Sequence, residues 1–126
     1  MTKKELKELM NLPLTESGNA LRLQALFGSR WKYLPEYHCW MYRDRYCWKG
    51  KRTLEACWAA ADAFRKLAKA IYCLPVPKEE WEQSRRVRII SWLMLSQRPT
   101  CAKHALNLFR DMQMEEAAVK EDVLRG

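Results

Sequence analysis

Apolar residues recur along most of this 126-residue chain at the three- and four-residue steps of a helix, and switch once, after Arg30, to alternation. Leu6, Leu9 and Met10 follow Thr2-x-x-Glu5, a capping-box pattern. Asn11-Leu12-Pro13 closes that short helix, because proline pushes its predecessor out of the helical region. Thr15 is placed to cap a second helix, in which Ala20, Leu23 and Phe27 share one face and Gly28 supplies the stop. Few charges interrupt it, so it is expected to be well packed.

From Trp31 the period falls to two. Trp31-Lys32-Tyr33-Leu34 alternates, and Pro35 confines that piece to a sheet edge or a strand end. Residues 39–42 and 46–48 then flank Arg43-Asp44-Arg45, the pattern of a hairpin with a tight turn. With Asp44-Arg45 as a two-residue loop, Tyr42 faces Cys47 and Met41 faces Trp48. Trp40 and Tyr42 then lie on one face, and Met41, Tyr46 and Trp48 on the other. Both faces are aromatic, so at least one must be covered.

Thr53 opens the clearest helix, with Leu54, Cys57, Ala61, Phe64, Ala68 and Ile71 as its stripe. Leu74-Pro75-Val76-Pro77 breaks the chain, and Pro77 fits the first position of the next helix, with Glu79, Glu80 and Glu82 near its positive end. In that helix Val87, Ile89, Ile90, Leu93 and Met94 fill one arc, while Trp81, Arg85, Arg88 and Trp92 line the opposite side. A last helix begins at Thr100, with Cys101, Ala105, Leu108 and Met112 on one face. From Gln113 the chain is acidic, helical or frayed, and its end at Leu124-Arg125-Gly126 fits a fragment of a longer protein. The expected fold is α+β, with a small antiparallel hairpin or sheet packed against a mainly helical bundle. One domain is expected over residues 14–112, between an N-terminal helical extension, 1–13, and an acidic tail, 113–126.

Charge adds a partner to this picture. The net charge is +8, and residues 29–52 hold seven Lys and Arg against two acids. Residues 78–103 hold six against three, whereas residues 104–126 are acidic, three against five. A basic middle points to a polyanion, since each neutralised phosphate releases counterions. Three Trp and four Tyr lie among the cations of residues 30–49, and rings beside cations suit single-stranded nucleic acid. The candidate nucleic-acid-binding residues are therefore Arg30, Lys32, Trp40, Arg43, Arg45, Lys49, Lys51 and Arg52. The competing reading makes the rings core and the cations a solvated rim. Trp81, Arg85, Arg88 and Trp92 form a possible second surface, or else a second packing face with Arg stems over Trp rings.

Catalytic signals are poor. No G-x-x-x-x-G-K-[ST] phosphate loop and no H-E-x-x-H occurs. His38, Cys39, Cys47 and Cys57 could supply zinc ligands, but no paired spacing supports them, and buried thiols are the commoner outcome. Nothing places His104 beside a particular Cys. No catalytic residue, metal or cofactor is expected, and the chain is expected not to be an enzyme on its own. Five Cys, an odd number without a C-x-x-C pair, fit reduced thiols in a cytoplasmic protein. No apolar run approaches the ~20 residues that span a bilayer, so no membrane partner is expected.

Several segments together resemble one family. Leu14-Thr15-Glu16-Ser17-Gly18-Asn19-Ala20-Leu21-Arg22-Leu23 is similar to the L-T-D-x-G-N-A-x-R-L opening of the domain ahead of the superfamily-three helicase in phage, plasmid and poxvirus-type primase–helicases. Trp31-Lys32-Tyr33-Leu34-Pro35-Glu36 is similar to its R-Y-V-P-E element, and residues 40–48 to its W-L-V-W-D-G-x-x-W hairpin. Ser91-Trp92-Leu93-Met94-Leu95-Ser96 resembles its K-W-A-x-x-S segment. Arg43 stands where that family has Trp, and Arg45 where it has Gly. The resemblance covers residues 14–112 and implies a non-catalytic accessory domain of a mobile-element replication protein. It also implies DNA and helicase or primase domains, of the same or a partner chain, as partners. The alternative is a protein-interaction or linker module that binds no nucleic acid.

Overall fold

The structure is a computed structural model that describes residues 1–125. Its first helix, α1 (Lys3–Asn11), begins at the expected capping box: the Thr2 hydroxyl accepts the Glu5 N–H at 3.1 Å, and the Glu5 carboxylate accepts the Thr2 N–H at 3.3 Å. In α2 (Glu16–Phe27) Thr15 Oγ1 accepts the Gly18 N–H at 3.0 Å, and Gly28 ends the helix at φ +56°, a conformation cheap only for glycine.

Alongside Ala20, Leu23 and Phe27, α2 buries two polar residues, Asn19 and Arg22, and Arg22 is 0% exposed. Its guanidinium folds back over the link from α1. Nε donates to the Leu9 carbonyl at 3.1 Å, Nη2 to that of Leu12 at 2.7 Å and Nη1 to that of Pro13 at 2.9 Å. Nη1 also donates to Asn19 Oδ1 at 3.2 Å, which in turn accepts Trp92 Nε1–H at 2.9 Å. Asn19 Nδ2 donates to Ser96 Oγ at 2.8 Å. Desolvation lowers the pKa of Arg22 to about 10, so it stays charged at neutral pH.

Three antiparallel strands, β1 (Trp31–Leu34), β2 (Cys39–Arg43) and β3 (Trp48–Lys51), stand in the order β1-β2-β3, so β1 is an edge as Pro35 requires. Pro35–Tyr37 form a single 3₁₀ turn between β1 and β2. The hairpin register differs from the expected one. Tyr42 pairs with Lys49, Met41 with Gly50 and Arg43 with Trp48, which leaves a four-residue loop over 44–47. A two-residue type I′ loop would need positive φ at Asp44 and Arg45, whereas His38 is the one non-glycine residue with positive φ among those described. The Asp44 side chain instead holds a wider turn.

Of the next helix, α3 (Thr53–Tyr72), the buried face is Ala56, Cys57, Ala60, Phe64, Leu67, Ala68 and Ile71. Leu54, in the first turn, is exposed and Ala61 only half-buried, so the true stripe is rotated from the expected one. Small Ala56 and Ala60 let neighbouring elements approach closely. Pro77 lies ahead of α4 (Glu80–Leu95) rather than within it, and its carbonyl accepts Gln83 Nε2–H at 2.7 Å. The faces expected of α4 are also rotated: Ile89 and Leu93 are buried, but Val87 and Met94 face solvent while Trp92 turns inward. Polar partners impose this. Trp92 reaches Asn19, Arg85 reaches the Met10 carbonyl and Asn11 Oδ1, and Arg86 Nη1 reaches the Leu74 carbonyl at 3.1 Å.

α5 (Pro99–Arg125) runs through the expected boundary at 112/113, so the acidic segment is a continuation of this helix. It buries Ala102, Ala105, Leu106 and Phe109 between α2, α3 and the sheet, while Cys101, Leu108 and Met112 are only half-buried. Gln113 belongs to the body: its Oε1 accepts the Tyr33 N–H at 2.9 Å and its Nε2 donates to the Trp31 carbonyl at 2.8 Å. One side-chain amide thus stands in for a neighbouring strand and blocks the β1 edge. The architecture is α+β, a small sheet packed on helices.

A Cβ on Gly18 would sit 2.0 Å from the Pro13 carbonyl oxygen, whereas one on Gly50 meets nothing nearer than 3.8 Å. Gly18→Ala is therefore expected to destabilise the fold and Gly50→Ala to leave it unchanged, read by urea unfolding. Arg22→Met strips three carbonyls of their donors and is expected to cost on the order of 3 kcal/mol or more. Arg22→Lys should not rescue it, since one ammonium cannot reproduce the fork.

Candidate nucleic-acid interface

The hairpin loop is built on Asp44. Its Oδ1 accepts the N–H groups of Tyr46 at 2.8 Å and Cys47 at 3.0 Å, and its backbone N–H closes onto the Cys47 carbonyl at 3.1 Å. Oδ2 lies 2.9 Å from Lys49 Nζ. The Tyr46 N–H first, then that of Cys47 and the Lys49 ammonium, hold the Asp44 carboxyl well below the usual carboxylate range. Asp44 pushes the Lys49 pKa up in return. This frame carries Arg45 and Tyr46 at the tip, where Tyr46 is 91% exposed.

Alternation then sorts the sheet into two faces. Trp31, Tyr33, Trp40 and Tyr42 point inward. Phe27 stacks on Trp31 at 5.3 Å between centroids, and Phe109 stacks on Trp40 at 5.7 Å, so α2 and α5 cover this side. On the outer face Lys32, Met41 and Gly50 form one row, and Arg43 and Trp48 the next. The Arg43 guanidinium lies 5.8 Å from the Trp48 ring centroid, a cation–π contact that leaves the ring 42% exposed.

The predicted cations divide by partner. Lys49 is paired with Asp44, and Lys51 and Arg52 both with Glu55, at 3.8 and 3.0 Å. Arg52 first, then Lys51, depress the Glu55 pKa. Among the described residues, Arg30, Lys32, Arg43 and Arg45 face no carboxylate within ion-pair distance. Trp40 is a correction. At 2% exposure, between Tyr33 and Phe109, it cannot stack on a base. Among the rings of residues 30–49 that remain exposed are Trp48, which alternation had already set on the face opposite Trp40, Tyr46 in the loop and Tyr37 in the 3₁₀ turn.

The possible second surface is not one surface. Trp92 and Arg85 are committed to Asn19, Met10 and Asn11, while Trp81 and Arg88 are exposed. Nor do the conceivable zinc ligands converge: among the described residues no three of His, Cys, Asp and Glu are grouped as a metal needs. His38 occupies a left-handed corner at φ 48° after the 3₁₀ turn, and Cys57 is buried on α3, where desolvation raises its pKa. His104 Nδ1 lies 2.8 Å from Glu16 at the surface. No described helix is long and apolar enough to cross a membrane. No protein-family model, curated protein or solved structure matches the chain.

Trp40→Ala is expected to cost about 3–5 kcal/mol in stability, and Trp48→Ala almost nothing, in parallel chemical denaturation. Because the folded pKa of Asp44 is depressed, its hold on the loop is complete above the ordinary carboxylate range, near pH 4. It is lost only as pH falls toward the lower folded value. Hydrogen exchange at the Tyr46 and Cys47 amides should therefore stay slow at pH 5 and quicken there in Asp44→Ala.

Proposed function

We propose that the chain is a non-catalytic nucleic-acid-binding domain that engages single strands through the outer face and loop of its hairpin. One observation carries this reading: four cations without acidic partners among the described residues, Lys32 and Arg43 on the outer sheet face, Arg45 in the loop and Arg30 just ahead of β1, accompany two exposed rings, Trp48 and Tyr46. The rings offer sequence-tolerant stacking at roughly 1–3 kcal/mol per base, and the cations take the phosphates. The resemblance to the domain ahead of the helicase in mobile-element primase–helicases sets the context: an accessory domain in DNA replication that lies beside helicase or primase domains and leaves catalysis to them.

A second reading, a protein-interaction or linker module in such a complex, is favoured by α4. That helix turns Trp81, Val87, Met94 and Leu95 to solvent, and Trp81 is 63% exposed. The two readings part in one titration, fluorescence anisotropy with a hydroxyl-terminated single-stranded oligonucleotide. Nucleic-acid binding through four cations predicts a log Kd that rises with log salt at a slope of about 3. It also predicts a loss of about tenfold or more in the Arg43→Glu/Arg45→Glu double variant, with the Trp81→Ser variant unchanged. No binding at low salt, or binding indifferent to that charge reversal, overturns it and leaves the interaction module.

A further inference from the structure

Behind Tyr42, on the inner side of the sheet, a cleft of about 460 Å³ runs between the end of α2, the sheet and α3. Rings of Phe27, Trp31 and Tyr42 form one wall, and Ala59, Ala63 and Ala70 of α3 the other. Aromatic faces opposite small side chains leave a slot, and its size falls in the range of small-ligand sites, about 300–1,000 Å³. On the rim Lys66 is held by Asp62 at 2.9 Å, whereas Arg30 and Met1, which carries the N-terminal ammonium, have no carboxylate within ion-pair distance among the described residues.

At Arg30 and Tyr42 the slot meets a second, polar cleft of about 520 Å³, lined by those two residues with Arg43, Asp44 and Arg45. Asp44 does not oppose an anion there with a free charge. Its Oδ1 is taken by two backbone N–H groups and its Oδ2 by Lys49. What remains is Arg30, which borders both clefts, with Arg43 and Arg45 lining the polar one beside it. Guanidinium forks match phosphate oxygens in geometry as well as charge. Arg43 belongs to both sites: it borders the polar cleft and lies over Trp48 on the outer face.

We infer that these joined clefts bind the phosphorylated terminal nucleotide of a single strand, its base in the slot and its terminal phosphate on Arg30, Arg43 and Arg45. This rests on the nucleic-acid reading above and adds a direction to it. The strand crosses the outer face past Trp48 and ends at Arg43, where the surface turns into the cleft.

The test compares one oligonucleotide with hydroxyl ends, with a 5′-phosphate and with a 3′-phosphate, by competition anisotropy on the intact chain. One phosphorylated form is expected to bind about tenfold more tightly than the hydroxyl form, the scale of one charge-assisted hydrogen-bonded contact. Ala63→Leu fills the slot and should erase that preference while leaving the hydroxyl-ended affinity intact. Arg30→Gln, an exposed change that spares the fold, should erase it as well. Equal affinity for all three oligonucleotides, or a preference that survives both variants, overturns the terminal site and leaves general strand binding standing. A nucleoside 5′-triphosphate that competes as well as the phosphorylated oligonucleotide also overturns it, assigning the clefts to free nucleotide. Absence of binding by every oligonucleotide removes the parent reading and this one together.

Discussion

The guanidinium of Arg22 is where separate segments of this chain are joined. It bonds the last carbonyls of α1 and its exit, at Leu9, Leu12 and Pro13, and holds Asn19, which ties α2 to Trp92 and Ser96 at the end of α4. A buried cation of this kind is costly to desolvate, and it is tolerated because four of its five N–H groups find oxygen acceptors. Gly18 belongs to the same joint, since the Pro13 carbonyl approaches so closely that any side chain there would collide with it. The Gly18-Asn19-Ala20-x-Arg22 pattern is thus a structural device. Its polar members fix where helices meet, and none of them is free for a ligand.

From that joint the position of the sheet follows. α2 ends in Phe27, Gly28 reverses the chain, and β1 begins at once with Trp31 stacked on Phe27. Phe109 of α5 meets both Phe27 and Trp40, so rings from three elements pack together over the Trp40 side of the inner face. Gln113 then satisfies the outward groups of β1. With one edge occupied and the inner face covered except at the cleft behind Tyr42, exposure is concentrated on the outer face, the β3 edge and the loop. The candidate interface is what the packing leaves over, and Asp44 gives that remainder a fixed shape.

Much of this was legible in the sequence, and the losses trace to side-chain hydrogen bonds that hydrophobic periodicity does not weigh. Caps at Thr2, Thr15 and Gly28 are local, and local rules place them correctly. The alternation at Trp31 and the opposition of Trp40 to Trp48 are equally local. Register was missed although its cause is local too: the Asp44 carboxylate accepts N–H groups two and three residues on, which competes with the two-residue turn that spacing alone favours. The α4 faces were missed for a longer-range reason. Hydrophobic periodicity weighs Val87 and Met94 as core and ignores Trp92, Arg85 and Arg86, whose inward turn is set by acceptors distant in sequence. Gln113 was invisible too, since nothing local links it to Trp31.

Formal charge illustrates how that blindness bears on function. The basic excess of residues 78–103 includes Arg85 and Arg86, yet both donate to backbone carbonyls, of Met10 in the last turn of α1 and of Leu74 after α3. Arg22 adds a further positive charge that no partner can reach. These cations serve as hydrogen-bond donors to the fold, and the field they contribute outside it is weakened by depth and by the dipoles that hold them. Lys49, Lys51 and Arg52 are discounted in turn by Asp44 and Glu55. A net charge of +8 therefore overstates the attraction of the whole surface and understates its concentration. Once the committed cations are set aside, those that sequence assigned to the hairpin and that, among the described residues, face no carboxylate are Lys32 and Arg43 on its outer face, Arg45 in its loop and Arg30 just ahead of β1. That concentration, rather than the total, is what a phosphate backbone would meet.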